Sequence, residues 1–238
     1  MSETDTMARP ITLITFDLDG TLVDTASEIA EAANRTLDDL GLPRRDAADV
    51  TRLIGHGTRE LMKGLLAQAR DAGHGAYVDA LDVEAVMQCF EAHYHATTGT
   101  DSRLFPGCRE GLQRLREAGV AMACVTNKEQ RFAERVLEVT GLSEFFEILI
   151  GGDTLAQKKP HPLVIEHCLN AHGVLPSQAA HVGDSGIDVD TARRSGVSAW
   201  AVPYGYNGGQ PIEATRPDGL FASIDHIADH VLDARDAN

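Results

Sequence analysis

The sequence is short of basic residues, aromatics, paired cysteines and long apolar runs. Lysine and arginine number 21 against 36 aspartates and glutamates, giving a formal net charge of -15. That balance argues against binding nucleic acid or an anionic membrane through bulk electrostatics. An anionic substrate then needs a local positive site, because the overall field repels it. The four cysteines, Cys89, Cys108, Cys124 and Cys168, form no C-x-x-C pair, so a zinc knuckle or a thioredoxin-like motif is unsupported. They read as reduced thiols. Aromatic residues are only 5% of the chain, but a hydrophobic fraction of 43% over 238 residues suffices for a substantial core in one large domain or two small ones. No run approaches the roughly 18 apolar residues of a membrane span. The polar first nine residues carry two acids and are not a secretory signal. The expectation is a cytoplasmic protein with neither a membrane nor a nucleic-acid partner, its oligomeric state left open.

What is present centres on Asp17-Leu18-Asp19-Gly20-Thr21, directly behind the apolar run Ile11–Phe16. The run is β-branched and aromatic, and reads as a buried strand. Side chains alternate along a strand, so Asp17 and Asp19 point the same way if the extended geometry persists. Two neighbouring carboxylates repel each other, and a bound hard cation such as Mg²⁺ turns the repulsion into attraction. A calcium loop also begins D-x-D but needs its glycine sixth and a helix upstream. A solvated Asp/Gly turn is the other reading of this segment.

Thr25-Ala26-Ser27-Glu28 has the form of a capping box opening a helix that Gly41 ends. Helical patterns recur at Asp46–Leu53, Thr58–Arg70 and Val83–His95, with no convincing strand between Asp24 and Arg103. His93 and His95 lie two apart in a helical stretch, which points them to different faces and argues against a metal role for the pair. Beyond Phe105-Pro106-Gly107 strands and helices alternate. The strands are Val120–Val125, Phe145–Ile150, Ala179–Val182 and Val197–Val202. The helices surround Leu112 and Leu115, then Phe132 and Leu137, then span Leu163–His172 and Ile187–Ser195. This alternation predicts an α/β fold, a parallel sheet with crossover helices, interrupted after its first strand by an all-helical module. The predicted division is a core of residues 1–24 and 105–238 and a helical segment of residues 25–104.

In an open parallel sheet, ligands bind outside the carboxyl ends of the strands. After the predicted strands come Asp17 and Asp19, Thr126 and Asn127, Lys158 and Lys159, and Asp184 and Asp188. Acids, a hydroxyl, an amide and lysines thus gather along one edge. They suit phosphoryl transfer to Asp17, with a metal near Asp17 and Asp184 and Asp19 as proton donor and base. Thr126 and Asn127 can hydrogen-bond phosphate oxygens, and a lysine adds positive charge. Gly183-Asp184-Ser185-Gly186 also resembles the serine segment of chymotrypsin-like proteases, but that fold is all-β. Lys158 and Lys159 have a second reading as a solvated surface pair.

Four ordered motifs carry a family resemblance. Asp17–Asp24, Val125-Thr126-Asn127-Lys128, Lys159-Pro160-His161-Pro162 and Gly183–Asp188 together resemble the haloacid dehalogenase superfamily, and within it the phosphoglycolate phosphatases. The resemblance spans nearly the whole chain. It implies a Rossmann-like core with a helical cap. It also implies Asp17 as nucleophile and Asp19 as acid/base, with Thr126, Asn127 and Lys159 serving the phosphate. It further implies Mg²⁺ held by Asp17, the Asp19 backbone carbonyl and Asp184, with Asp188 in support. The dehalogenases proper lack the second aspartate of the first motif, so Asp19 argues against carbon–halogen cleavage. The implied reaction is hydrolysis of a small-molecule phosphate monoester, foremost 2-phosphoglycolate, with His56 and Gly57 of the Gly55-His56-Gly57 loop as candidate substrate contacts. A β-phosphoglucomutase-like isomerase, a phosphatase for another small monoester and a catalytically silent binding module are the alternatives.

Overall fold

A computed structural model describes residues 10–236. The first nine residues, read above as lacking a secretory signal, lie outside the described residues. In chain order the elements are β1 (Leu13–Phe16), β2 (Val23–Asp24), α1 (Ala26–Asp39), α2 (Ala47–Thr51), α3 (Thr58–Ala69), α4 (Gly75–Val78), α5 (Val83–Thr97), β3 (Arg103–Leu104), α6 (Cys108–Glu117), β4 (Ala121–Val125), α7 (Gln130–Thr140), β5 (Ile148–Ile150), α8 (Leu163–His172), β6 (Ala179–Gly183), α9 (Gly186–Ser195), β7 (Ser198–Ala201), β8 (Gly219–Leu220) and α10 (Ile224–Asp236).

The fold is α/β. Six parallel strands run in the order β5-β4-β1-β6-β7-β8. β1 is central and completely buried, as its uninterrupted Leu-Ile-Thr-Phe sequence requires of a strand covered on both faces. The chain leaves β1 for β4 and β5 on one side, then crosses to β6 on the other. This reversal opens a crevice at the carboxyl end of β1. Register aligns Phe16 with Cys124 and with Val182, so Asp17 emerges level with Val125 and Gly183, one residue before Thr126 and Asp184.

Apolar side chains fill both faces of the sheet. Ile14, Phe16, Met122 and Trp200 pack with Leu112, Leu115, Val136 and Ile227 of α6, α7 and α10. Leu13, Val125 and Ala199 pack with Ile165, Cys168 and Val189 of α8 and α9. A third cluster, Ile29, Leu37, Leu65, Phe90 and Tyr94 among them, lies within the helices α1 to α5 and takes in Phe132 of α7. Those helices fall between β2 and β3, whose antiparallel pairing of Val23 with Leu104 and Asp24 with Arg103 brings the two chain crossings together.

Several details differ from the sequence reading. β1 begins at Leu13, two residues late. The Phe145–Ile150 strand is halved, because Ser143–Phe145 forms a 3₁₀ turn and only Ile148–Ile150 is extended. The Thr25–Glu28 capping box does not form. Thr25 Oγ1 donates instead to Asp19 Oδ1, 2.6 Å away, and Glu28 Oε2 accepts from Gly99 N and Ser102 Oγ, both at 3.0 Å. A capping box does form at α9, between Ser185 and Asp188. The carboxyl-terminal helix α10 and the edge strand β8 carry no pattern that the sequence reading used.

Candidate active site

Asp17 leaves the end of β1 with its backbone N–H still in the sheet, donating to Val182 O at 2.9 Å. Gly20 turns the chain with φ +85°, a conformation that suits glycine. A Cβ there would lie 2.5 Å from Asp184 Oδ2, and one on Gly205 would lie 2.2 Å from Asp184 Cβ. Bare backbone thus lets two loops close over the Asp184 carboxylate.

Ligand oxygens of Asp17, Asp184 and Asp188 lie within 4.8 Å of one another, and all three residues are buried. Lys159 Nζ sits 2.8 Å from Asp17 Oδ1 and 2.7 Å from Asp188 Oδ1. The Asp17 contact is ionic without being a directed hydrogen bond, since that oxygen has no hydrogen-bond partner. Asp188 is fully committed. Its Oδ1 also takes His181 Nε2 at 3.3 Å, and its Oδ2 accepts from Ser185 N and Oγ. Asp184 accepts from Thr21 Oγ1 and Tyr206 N.

One ammonium therefore faces three carboxylates. Burial pushes the Asp17 carboxyl up to about 6, aided by the Asp188 charge and opposed by Lys159. Burial pushes Asp184 up to about 8, with Asp188 and Asp17 adding to it. Burial acts on Asp188 in the same direction, but Lys159 and His181 overcome it and hold that carboxyl well below its usual range. The surplus of negative charge, built from oxygen donors alone, fits a hard divalent cation.

Asp19 occupies a different setting. Lys128 Nζ donates to its Oδ1 at 2.9 Å and its Oδ2 at 3.0 Å, and Thr25 Oγ1 makes a third bond. Tyr94 of α5 contacts the same ammonium through its hydroxyl. Burial lowers the proton affinity of the Lys128 ammonium, but Asp19 and Tyr94 reverse this and hold it firmly charged.

A cavity beside Asp17 and Asp19 is lined by Ile29, Ile54, Leu61, Gly57, Thr126 and Lys128, among others. Of the predicted residues, Asp17, Asp19, Thr126, Asn127 and Gly57 meet there. Asp184, Asp188 and Lys159 adjoin them through Asp17. Two predicted side chains are placed otherwise than a direct phosphate or substrate contact requires. Asn127 Nδ2 donates to Gly55 O at 2.9 Å and Lys159 O at 3.1 Å, tying two loops together, while its Oδ1 has no hydrogen-bond partner. His56 is exposed and lines a neighbouring groove, while its carbonyl accepts from Lys158 Nζ at 2.7 Å. The positive-φ glycines on either side turn this residue outward. The sequence reading missed Lys128, although it directly follows Thr126-Asn127. It also missed Tyr94, which nothing in a helical pattern separates from a core aromatic.

Buried acids and a lysine at the switch point of a parallel sheet form a candidate active site of the α/β class. The chain belongs to the haloacid dehalogenase-like hydrolase family, which matches residues 14–202. A phosphoglycolate phosphatase of Cupriavidus necator is 41% identical over 230 residues, covering 97% of each chain. That of Thiobacillus denitrificans is 37% identical, covering 92% of this chain and 95% of the other. The crystal structure of a predicted phosphoglycolate phosphatase from Haemophilus somnus superposes with a TM-score of 0.84 at 30% identity, covering 92% of this chain and 97% of that one. A Thermotoga maritima protein assigned as a β-phosphoglucomutase, at 23% identity and a TM-score of 0.71, shares the fold. Phosphatases of this family use a divalent metal ion. Among the described residues no helix is long and apolar enough to cross a membrane.

Proposed function

We propose that this protein hydrolyses 2-phosphoglycolate to glycolate and phosphate through an aspartyl-phosphate on Asp17, with Mg²⁺ as cofactor. The observation that carries this reading is the contrast between two carboxylates two positions apart. Asp17 faces Asp184 and Lys159 in a site with too much negative charge. Asp19 is held apart by Lys128 and Thr25. The relatives named phosphoglycolate phosphatase support the choice of substrate.

In this reading an Asp17 carboxylate oxygen attacks phosphorus, and the bond from phosphorus to the glycolate oxygen breaks. Asp19 enters this step as the carboxylic acid and gives its proton to that leaving oxygen, its ion pair with Lys128 re-forming as it becomes a carboxylate. Asp19 then takes a proton from the water that attacks the acyl-phosphate, which releases phosphate and restores Asp17. Two unit charges about 4 Å apart repel by about 4 kcal/mol at an effective dielectric near 20, so carboxylate and phosphate need compensation. Lys159 supplies one positive charge at Asp17. A Mg²⁺ held by Asp17, Asp184 and the Asp19 backbone carbonyl supplies the remainder when bound. Thr126 Oγ1 accepts from Lys128 N at 3.2 Å, which leaves the hydroxyl proton for a phosphate oxygen. Residues 25–104 then serve as a cap over a core of residues 1–24 and 105–238. Gly57 and Thr58, where the twelve-residue helix α3 starts, line the cavity. Their backbone N–H groups suit the carboxylate end of the substrate. Four free cysteines suit a reducing, cytoplasmic setting.

The test is steady-state hydrolysis of a panel of phosphate monoesters, with and without Mg²⁺. Turnover should favour 2-phosphoglycolate over sugar phosphates, vanish in excess chelator and return with Mg²⁺. Ca²⁺ should inhibit, because it prefers a looser and higher coordination. Full turnover in chelator, or a sugar phosphate as the best substrate, overturns the reading.

A further inference from the structure

A second cluster of metal-ligating side chains lies away from the acids described above. Cys89 and His93 are four residues apart on α5, so they share one face of that helix. Asp39, the last residue of α1, meets both. His93 Nε2 is 2.7 Å and Cys89 Sγ 3.5 Å from the same atom, Asp39 Oδ2, and all three ligand atoms lie within 4.8 Å of one another. The Asp39 side chain is 59% exposed and that of His93 25% exposed, so a dissolved ion can reach them.

We propose that Asp39, Cys89 and His93 form a binding site for a zinc-class transition-metal ion. Nitrogen, sulfur and oxygen donors from three side chains suit a tetrahedral ion whose fourth position is left to water. Carboxylate-only sites select harder ions, and a thiolate with an imidazole selects zinc and its neighbours. Metal–ligand lengths of about 2.0–2.3 Å at tetrahedral angles set ligand–ligand edges of about 3.4–3.6 Å. The Cys89–Asp39 edge already has that length. The His93–Asp39 edge must open slightly, which exposed Asp39 accommodates by rotating. On binding, the Cys89 thiol gives its proton to solvent and its sulfur bonds the metal, while neutral His93 binds through Nε2 with its proton on Nδ1. The carbonyls at the end of α1 add a negative potential beside the ion.

The site would clamp α1 to α5 without touching the catalytic groups. Thr25 stands fourteen residues before Asp39 on the same helix, or about 21 Å at 1.5 Å per residue. Cys108, Cys124 and Cys168 are all buried, which leaves Cys89 as the thiol open to metal.

Titrating the full-length protein with Co²⁺ in excess Mg²⁺ tests this. One equivalent should give a thiolate-to-cobalt absorption band, which Zn²⁺ displaces. Zn²⁺ should also raise the Tm. Cys89→Ser should abolish the band and weaken Zn²⁺ binding by more than about 100-fold, beyond the cost of losing a supporting hydrogen bond. His93→Gln should weaken binding while keeping the band at high Co²⁺. Both variants should keep native phosphatase turnover. Co²⁺ bound at Asp17 and Asp184 has no sulfur ligand and gives no such band. A native protein without the band, or a band that survives Cys89→Ser, overturns the proposal.

Discussion

Lys159 and Lys128 are both buried ammonium groups near the end of β1, yet they stand in opposite charge balances. Lys159 faces Asp17 and Asp188, with Asp184 adjoining, so one positive charge meets three carboxylates. Lys128 is paired directly with Asp19, with the buried Glu28 carboxylate also within its field, and its further contact is the Tyr94 hydroxyl. The first site carries a surplus of carboxylates, which a bound proton or a further cation relieves. The second is complete without a ligand. Buried charge of one sign in excess is costly to maintain, so the Lys159 site is where the fold gives up stability to bind something. The Lys128 site holds a single carboxylate in one place.

The same Asp→Asn change on the two sides should separate these cases. Asp17→Asn removes a repelled charge along with the proposed nucleophile. We expect turnover to fall by at least about 10⁴-fold, with the metal-free Tm unchanged or raised. Asp19→Asn leaves Lys128 buried without its counterion, which costs about 3 kcal/mol at the lower end for a broken buried pair. Its Tm should therefore fall. Thermal melts in chelator, read beside kcat, check both. A Tm loss for Asp17→Asn as large as that for Asp19→Asn would dissolve the distinction.

A smaller effect sharpens the comparison from the cation side. Lys159→Met and Lys128→Met should each lower Tm. Added Mg²⁺ should restore part of the first loss, because a cation bound between Asp17 and Asp184 offsets the surplus charge. It should raise the Tm of the second only by as much as it raises that of the native protein. At 100 times its dissociation constant, a ligand that binds only the folded state adds about 2.7 kcal/mol, or about 5–10 °C in a chain of this size. Equal rescue of both variants would mean that Mg²⁺ does not distinguish the two sites.

Much of this was legible in the sequence, for a physical reason. β1 is buried on both faces, so its apolar run stood out. Asp17, Thr126 and Asp184 follow strand ends, and strand ends are where a parallel sheet presents its ligands. Gly141 and Gly196 end α7 and α9 in left-handed geometry, and glycine announces that conformation. What stayed hidden were contacts made by tertiary packing. Tyr94 looks like any core aromatic until α5 sets its hydroxyl against Lys128. Glu28 has the spacing of a capping box, but the returning chain at Gly99 and Ser102 offers it other donors. Cys89 and His93 had the helical spacing of a ligand pair, and their meeting with Asp39 depends on how α5 packs on α1.

The smallest effect concerns His56, where sequence and geometry disagree. As an imidazole in the Gly55-His56-Gly57 loop, His56 is a reasonable reader of a substrate carboxylate. The loop instead turns the side chain outward into a groove beside the cavity, and only its carbonyl is engaged, by Lys158. Gly57 is the residue whose backbone reaches the cavity wall, and a Cβ there would meet Lys158 Nζ at 2.9 Å and Asn127 O at 3.2 Å, with φ at +90°. His56→Ala should therefore leave KM for 2-phosphoglycolate within about twofold of native, since an exposed side chain away from the bound group contributes little. Gly57→Ala should raise KM by more, because both its strained φ and its new methyl push the start of α3 away from the site. Initial-rate measurements on the two variants, with 2-phosphoglycolate and a neutral aryl phosphate, decide it. A selective rise in KM for 2-phosphoglycolate in His56→Ala would show that the loop swings inward during turnover and that its imidazole, not the α3 amides, reads the carboxylate.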